Sequence, residues 1–123
     1  MIKIRHIAIM VKNLDKSVAF YRDLLGLSFV RTVEIRGTKA VDLTDGETNL
    51  RLLPATNPDA PRHDRDISVG FNHIGFIVED IDETYRKLKE SKVKFLSQAP
   101  ADFFKISDPD GLVIDITCPT RGW

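Results

Sequence analysis

The 123-residue sequence has a single cysteine, Cys118. One cysteine forms no internal disulfide, so a reducing, cytoplasmic setting is expected. It also lacks an excess of charge of either sign: 18 Lys and Arg stand against 18 Asp and Glu. A balanced chain carries no electrostatic footprint for nucleic acid or an anionic membrane. No apolar run approaches the ~20 residues that a bilayer demands. The chain opens straight into a strand pattern, without the architecture of a signal peptide. There is no phosphate loop, Gly-rich dinucleotide turn, Cys-x-x-Cys pair or Ser-centred elbow. These absences leave a soluble cytoplasmic domain, long enough to bury a core without disulfides or structural metal. Its zero net charge gives little colloidal repulsion, which favours self-association.

What is present is a repeat. Arg5-His6-Ile7-Ala8-Ile9-Met10-Val11 returns as Asn72-His73-Ile74-Gly75-Phe76-Ile77-Val78, 67 positions later from His6 to His73. Asn13-Leu14-Asp15 then stands opposite Asp80-Ile81-Asp82, and a helical pattern follows both. Internal repetition at this length means one supersecondary unit used twice.

Taken in order, Ile2 to Val11 alternates as a strand, with His6, Ala8 and Met10 on one face. Asn13 or Asp15 can cap the next helix, whose stripe is Val18, Tyr21, Leu24 and Leu25; Gly26 stops it. Strands are expected over 28–35, 39–43 and 48–53, the last two joined through Asp45-Gly46. The polar, Pro-bearing stretch 55–69 is a linker, with His63 solvated in it. The second module has a strand at 71–78, a helix at 82–90 with Tyr85 and Leu88 inward, and strands at 93–96, 103–106 and 112–117. Asp108-Pro109-Asp110-Gly111 turns the chain between the last two. The expected fold is α+β: one domain of two βαβββ modules, 1–54 and 70–119, forming a curved mixed sheet or half-barrel.

The repeat makes Arg51 and Asp115 equivalent, as it does His6 and His73. Side-by-side packing of two related modules is expected to bring all four to one cleft. Arg51 lies between Leu50 and Leu52, and Asp115 between Ile114 and Ile116. A lone charge inside an apolar strand is costly unless it is paired or bound to a metal. Two imidazoles and a carboxylate make a two-His, one-carboxylate cation site with open positions. The duller alternatives are satisfied strand histidines, and an ion pair of Arg51 with Asp115 or Asp42. Tyr21 and Tyr85 are read as core, and Cys118, without an evident base, as inert.

These residues carry a resemblance. His6 with the helix Ser17 to Leu27, His73-Ile74-Gly75-Phe76-Ile77-Val78-Glu79-Asp80-Ile81-Asp82, and Asp108-Pro109-Asp110-Gly111-Leu112-Val113-Ile114-Asp115 resemble the vicinal oxygen chelate superfamily. That group includes glyoxalase I, extradiol dioxygenases, methylmalonyl-CoA epimerase, fosfomycin-resistance enzymes and bleomycin-binding proteins. The resemblance implies a glyoxalase-like fold and a divalent metal ion (Fe, Mn, Zn or Ni) held by His6, His73 and Asp115. Asp115 stands where the family usually has Glu. Arg51 stands where glyoxalase I and the epimerases carry a fourth, carboxylate ligand. A guanidinium cannot ligate a cation. A three-ligand site would follow, like that of the extradiol dioxygenases and fosfomycin-resistance enzymes, with Arg51 left to bind substrate. The expected activity is ring-cleaving oxygenation of a small substrate chelated through adjacent oxygens. The alternatives are a glyoxalase I-like lyase or isomerase, and a metal-free binding protein of the bleomycin-resistance kind. Small family members also suggest a homodimer.

Overall fold

The computed structural model describes residues 1–62, 64–98 and 102–119; His63 lies outside them. The chain divides into two compact units, Met1–Pro61 and Arg62–Trp123. Each has its own mixed sheet, so the class is α+β. No helix among the described residues is long and apolar enough to cross a membrane.

In the first unit β1 (His6–Val11) lies parallel to β4 (Asn49–Pro54), with β3 (Thr38–Thr44) and β2 (Ser28–Ile35) following antiparallel. The expected strand from Ile2 is shorter at its start. The ladder of β1 begins at His6↔Asn49, with the Asn49 amide reaching back to the Arg5 carbonyl at 3.0 Å, and the partner chain before Asn49 is already turning at Asp45–Thr48. Asn13 caps α1 (Leu14–Val18), its side chain accepting from the Lys16 amide at 3.0 Å.

The helix then widens into a π-helical segment, Ala19–Leu24, in which the Leu25 amide reaches back five residues to the Phe20 carbonyl. The buried stripe is also shifted. Adjacent Phe20 and Tyr21 go inside with Ser17, at the i, i+3, i+4 spacing of one helix face, their rings edge-to-face at 5.0 Å. They join Val11, Val41, Leu43, Leu50 and Leu52 in the core, the last four alternating with residues of the opposite sheet face.

In the second unit β5 (His73–Ile77) lies parallel to β7 (Val113–Thr117), and β6 (Phe103–Ser107) pairs antiparallel with β7. Helix α2 (Ile81–Glu90) is capped by Asp80, which accepts from the Glu83 amide. Leu88 is buried, and the Tyr85 ring meets Phe95 and Phe104 at 5.2 and 5.8 Å. Residues 93–96, expected as a strand, make only an isolated bridge, Phe95↔Ile106. The Ser97 hydroxyl takes the Lys105 amide and so replaces the next ladder bond.

Candidate functional site

The register fixes which side chains share a face. Across the first sheet Ala8, Arg51, Asp42 and Arg31 stand on one rung. Across the second, Gly75, Asp115 and Lys105 do so. The repeat equivalence of Arg51 and Asp115 is thus visible in the ladders: each is on the closing strand, beside the parallel histidine-bearing strand. The charges, however, are inverted. The first unit has its acid on β3 and its base on β4; the second has its base on β6 and its acid on β7.

Arg51 is tied to Asp42. Its Nε donates to Oδ1 at 2.7 Å and its Nη2 to Oδ2 at 3.0 Å. Arg31 adds a third contact, Nε to Oδ2 at 3.1 Å. Asp42 is 1% exposed, and a buried carboxylate survives only with such partners. Hydrogen bonding from Arg51 holds its carboxyl below the usual carboxylate range, against the opposing effect of burial and aided by the charges of Arg51, Arg31 and His6. Asp42 in turn raises the Arg51 guanidinium. Of the two pairings open from the sequence, Asp42 is the one observed. His6 sits at the start of β1 on the exposed side of the alternation.

In the second unit His73 and Asp115 are brought together. His73 Nε2 lies 3.3 Å from Asp115 Oδ2, and Lys105 Nζ lies 2.5 Å from Asp115 Oδ1. The other imidazole nitrogen, Nδ1, is 2.7 Å from Asn72 Oδ1. Asn72 is fixed by Arg65 at both ends: its Oδ1 accepts from Nη1 at 2.6 Å, and its Nδ2 donates to the Arg65 carbonyl at 3.0 Å. Among the described residues no three His, Cys, Asp or Glu side chains form a ready cation-binding group.

The donor pair nevertheless fits a cation. Ligand atoms about 2.1 Å from an ion and 90–109° apart stand about 3.0–3.4 Å from one another. The 3.3 Å between Nε2 and Oδ2 lies in that range. Asp115 Oδ1, held by the ammonium of Lys105, leaves Oδ2 as the oxygen turned to His73. Lys105 was missed from the sequence, as was the central part played by Asp42. The signal that singled out Arg51 and Asp115 was there for both. Lys105 lies between buried Phe104 and Ile106, and Asp42 between buried Val41 and Leu43.

Comparison with known proteins agrees with the architecture. The family model for the Glyoxalase/Bleomycin resistance protein/Dioxygenase superfamily matches residues 3–116. Metallothiol transferase FosB of Staphylococcus epidermidis is 31% identical over 120 residues, covering 92% of this chain and 79% of the relative. Human methylmalonyl-CoA epimerase, mitochondrial, is 27% identical, covering 93% of this chain and 72% of the relative. The Leishmania major glyoxalase I structure superposes with a TM-score of 0.84 at 24% identity, over 98% of this chain and 89% of that one. At that identity the likeness is one of fold. With the family match spanning nearly all of its length, the chain belongs to the glyoxalase/bleomycin resistance protein/dioxygenase superfamily.

Proposed function

We propose that the protein is a divalent-metal-dependent enzyme acting on a small substrate that chelates the ion through adjacent oxygens. The observation that carries this is the His73–Asp115 pair, two electron-pair donors facing each other at ligand spacing. His73 would supply Nε2 and Asp115 would supply Oδ2. His6, at the repeat-equivalent place on β1, is proposed as the third ligand, from the same chain or a second copy. A bound divalent cation would supply Lewis acidity, drawing electron density from a substrate oxygen.

The chain's own residues do the rest. Lys105 holds Asp115 in place and adds positive charge beside the oxygen-bearing part of a substrate. Arg51 as the group that neutralises a substrate carboxylate belongs to the same proposal, although such an anion must compete with Asp42 for Nε and Nη2. The relatives described above are an epimerase, a thiol transferase and a glyoxalase. Isomerase, lyase or transferase chemistry is therefore favoured over ring cleavage.

A second reading has one observation in its favour. The Lys105 ammonium already neutralises Asp115 without any cation, as a metal-free small-molecule binding protein would require. Metal analysis separates the two. The purified chain is dialysed against Mn(II), Fe(II), Ni(II) or Zn(II), beside His73→Ala and Asp115→Ala. About one ion per chain, lost in both variants, supports the enzyme. No ion retained by the unsubstituted protein overturns it in favour of the binder. Light scattering tests the expected homodimer, since a single chain has a mass of 13.9 kDa.

A further inference from the structure

The contacts on the far side of His73 carry an inference that deepens the proposed cation site and rests on it. An asparagine amide has one accepting and one donating end. At Asn72 the two ends are assigned by a single neighbour in two ways. The Arg65 guanidinium can only donate, and it meets Oδ1 at 2.6 Å. The Arg65 carbonyl can only accept, and it meets Nδ2 at 3.0 Å. Both contacts give the same orientation, so the atom 2.7 Å from His73 Nδ1 is an acceptor. Nδ1 must then carry the hydrogen. In a neutral imidazole the other nitrogen is left with its lone pair, which faces Asp115 Oδ2 at 3.3 Å. Two lone pairs facing each other repel unless a positive centre, a proton or a metal cation, lies between or beside them.

We propose that Asn72, locked by Arg65, is a positioning residue that selects the Nδ1–H tautomer of His73 and so presents Nε2 to a divalent cation. The histidine partner that fixes a ligand's tautomer is normally an acceptor on its remote nitrogen. Here that acceptor is the preceding residue in the chain, held at two points by the guanidinium and the main-chain carbonyl of Arg65, seven residues before it.

The test uses ring-nitrogen chemical shifts of His73 from long-range proton–nitrogen correlation in the cation-free chain. The pH is raised until the ring-nitrogen shifts stop changing, so that the neutral ring is read. Zn(II) titration calorimetry of the same samples follows. The unsubstituted protein is expected to show His73 as the Nδ1–H tautomer. Asn72→Ala should release it toward the mixture found in free histidine and weaken Zn(II) about 10–100-fold. Asn72→Asp still accepts from both partners and should restore the tautomer and most of the affinity. Arg65→Met, which unlocks the amide, should fall between. Unchanged ring shifts in Asn72→Ala, or altered shifts with Zn(II) affinity within threefold, would overturn the assignment. If the unsubstituted chain takes up no cation, the metal reading of the protein fails. The nitrogen shifts then still decide, by themselves, whether Asn72 sets the tautomer.

Discussion

Replacing Asp42 by Asn tests the electrostatic logic of the first unit. The substitution keeps shape and removes charge. It leaves Arg51, only 17% exposed, and Arg31, 45% exposed, facing a neutral amide that still accepts from one of them. Breaking a buried pair by neutralising one member costs about 3–5 kcal/mol. Both arginines retain some access to water, so a cost of about 2–4 kcal/mol is expected. For a chain of this size that lowers Tm by roughly 10 °C. Arg51→Met should cost less, because Asp42 keeps its contact with Arg31. The double variant should cost about 2 kcal/mol less than the two singles combined, since the residues share one interaction.

Urea unfolding followed by far-UV circular dichroism measures all three differences. The dependence on pH has a defined sign. Asp42 is held below its unfolded value, so its contribution is complete above about pH 3.9 and fades as pH falls through the lower folded value. The gap between the unsubstituted chain and Asp42→Asn should be flat from pH 7 to about 4.5 and shrink below that. Additive singles within about 0.5 kcal/mol, or a gap that widens in acid, would refute the reasoning.

Other outcomes follow from single atoms. Among the described residues Ser17 Oγ is buried without a hydrogen-bond partner. Ser17→Ala should therefore be neutral or stabilising by up to about 1 kcal/mol in the same urea assay, and a clear loss would show an overlooked partner. Gly111 has φ +89°, and a Cβ there would lie 2.6 Å from Arg62 Nη1, which donates to the Asp110 carbonyl. Gly111→Ala should cost about 1–2 kcal/mol, read as a lower urea midpoint with unchanged slope. Lys105→Met frees Asp115 Oδ1 and removes one nearby positive charge. In a site a third open to water that is worth about 1–2 kcal/mol, so calorimetry should show divalent cations bound about tenfold more tightly. Weaker binding would mean that Lys105 orients Asp115 more than it competes for it.

Much of the fold could be read from the residues, and particular contacts show why. The strand over 28–35 and the Asn13 cap rest on local patterns, alternation and capping geometry, which act within a few residues. The repeat made Arg51 and Asp115 equivalent, and each lies on a strand parallel to the histidine-bearing one of its unit. The π-helical segment was not legible, because the apolar spacing is the same whether an amide bonds the fourth or the fifth carbonyl back. Residues 93–96 were over-read because a serine hydroxyl can take a ladder amide without changing the hydrophobic pattern. At the site, His73 and Asp115 stood out by repetition and by isolation in an apolar strand. Arg65 and Asn72 did not, since two polar residues seven apart in a polar stretch look like solvated surface until coordinates join them.

The reversed polarity of the two cross-strand pairs has a consequence for design. Each pair is neutral in itself, so exchanging its members alters which strand bears the carboxylate while the charge total of the sheet is conserved. An Asp42→Lys, Arg51→Asp exchange would put the base on β3 and the acid on β4, the order that Lys105 and Asp115 have on β6 and β7. A duplicated scaffold of this kind can hand a carboxylate from one strand to its neighbour by a two-residue trade, with its hydrophobic layers left untouched.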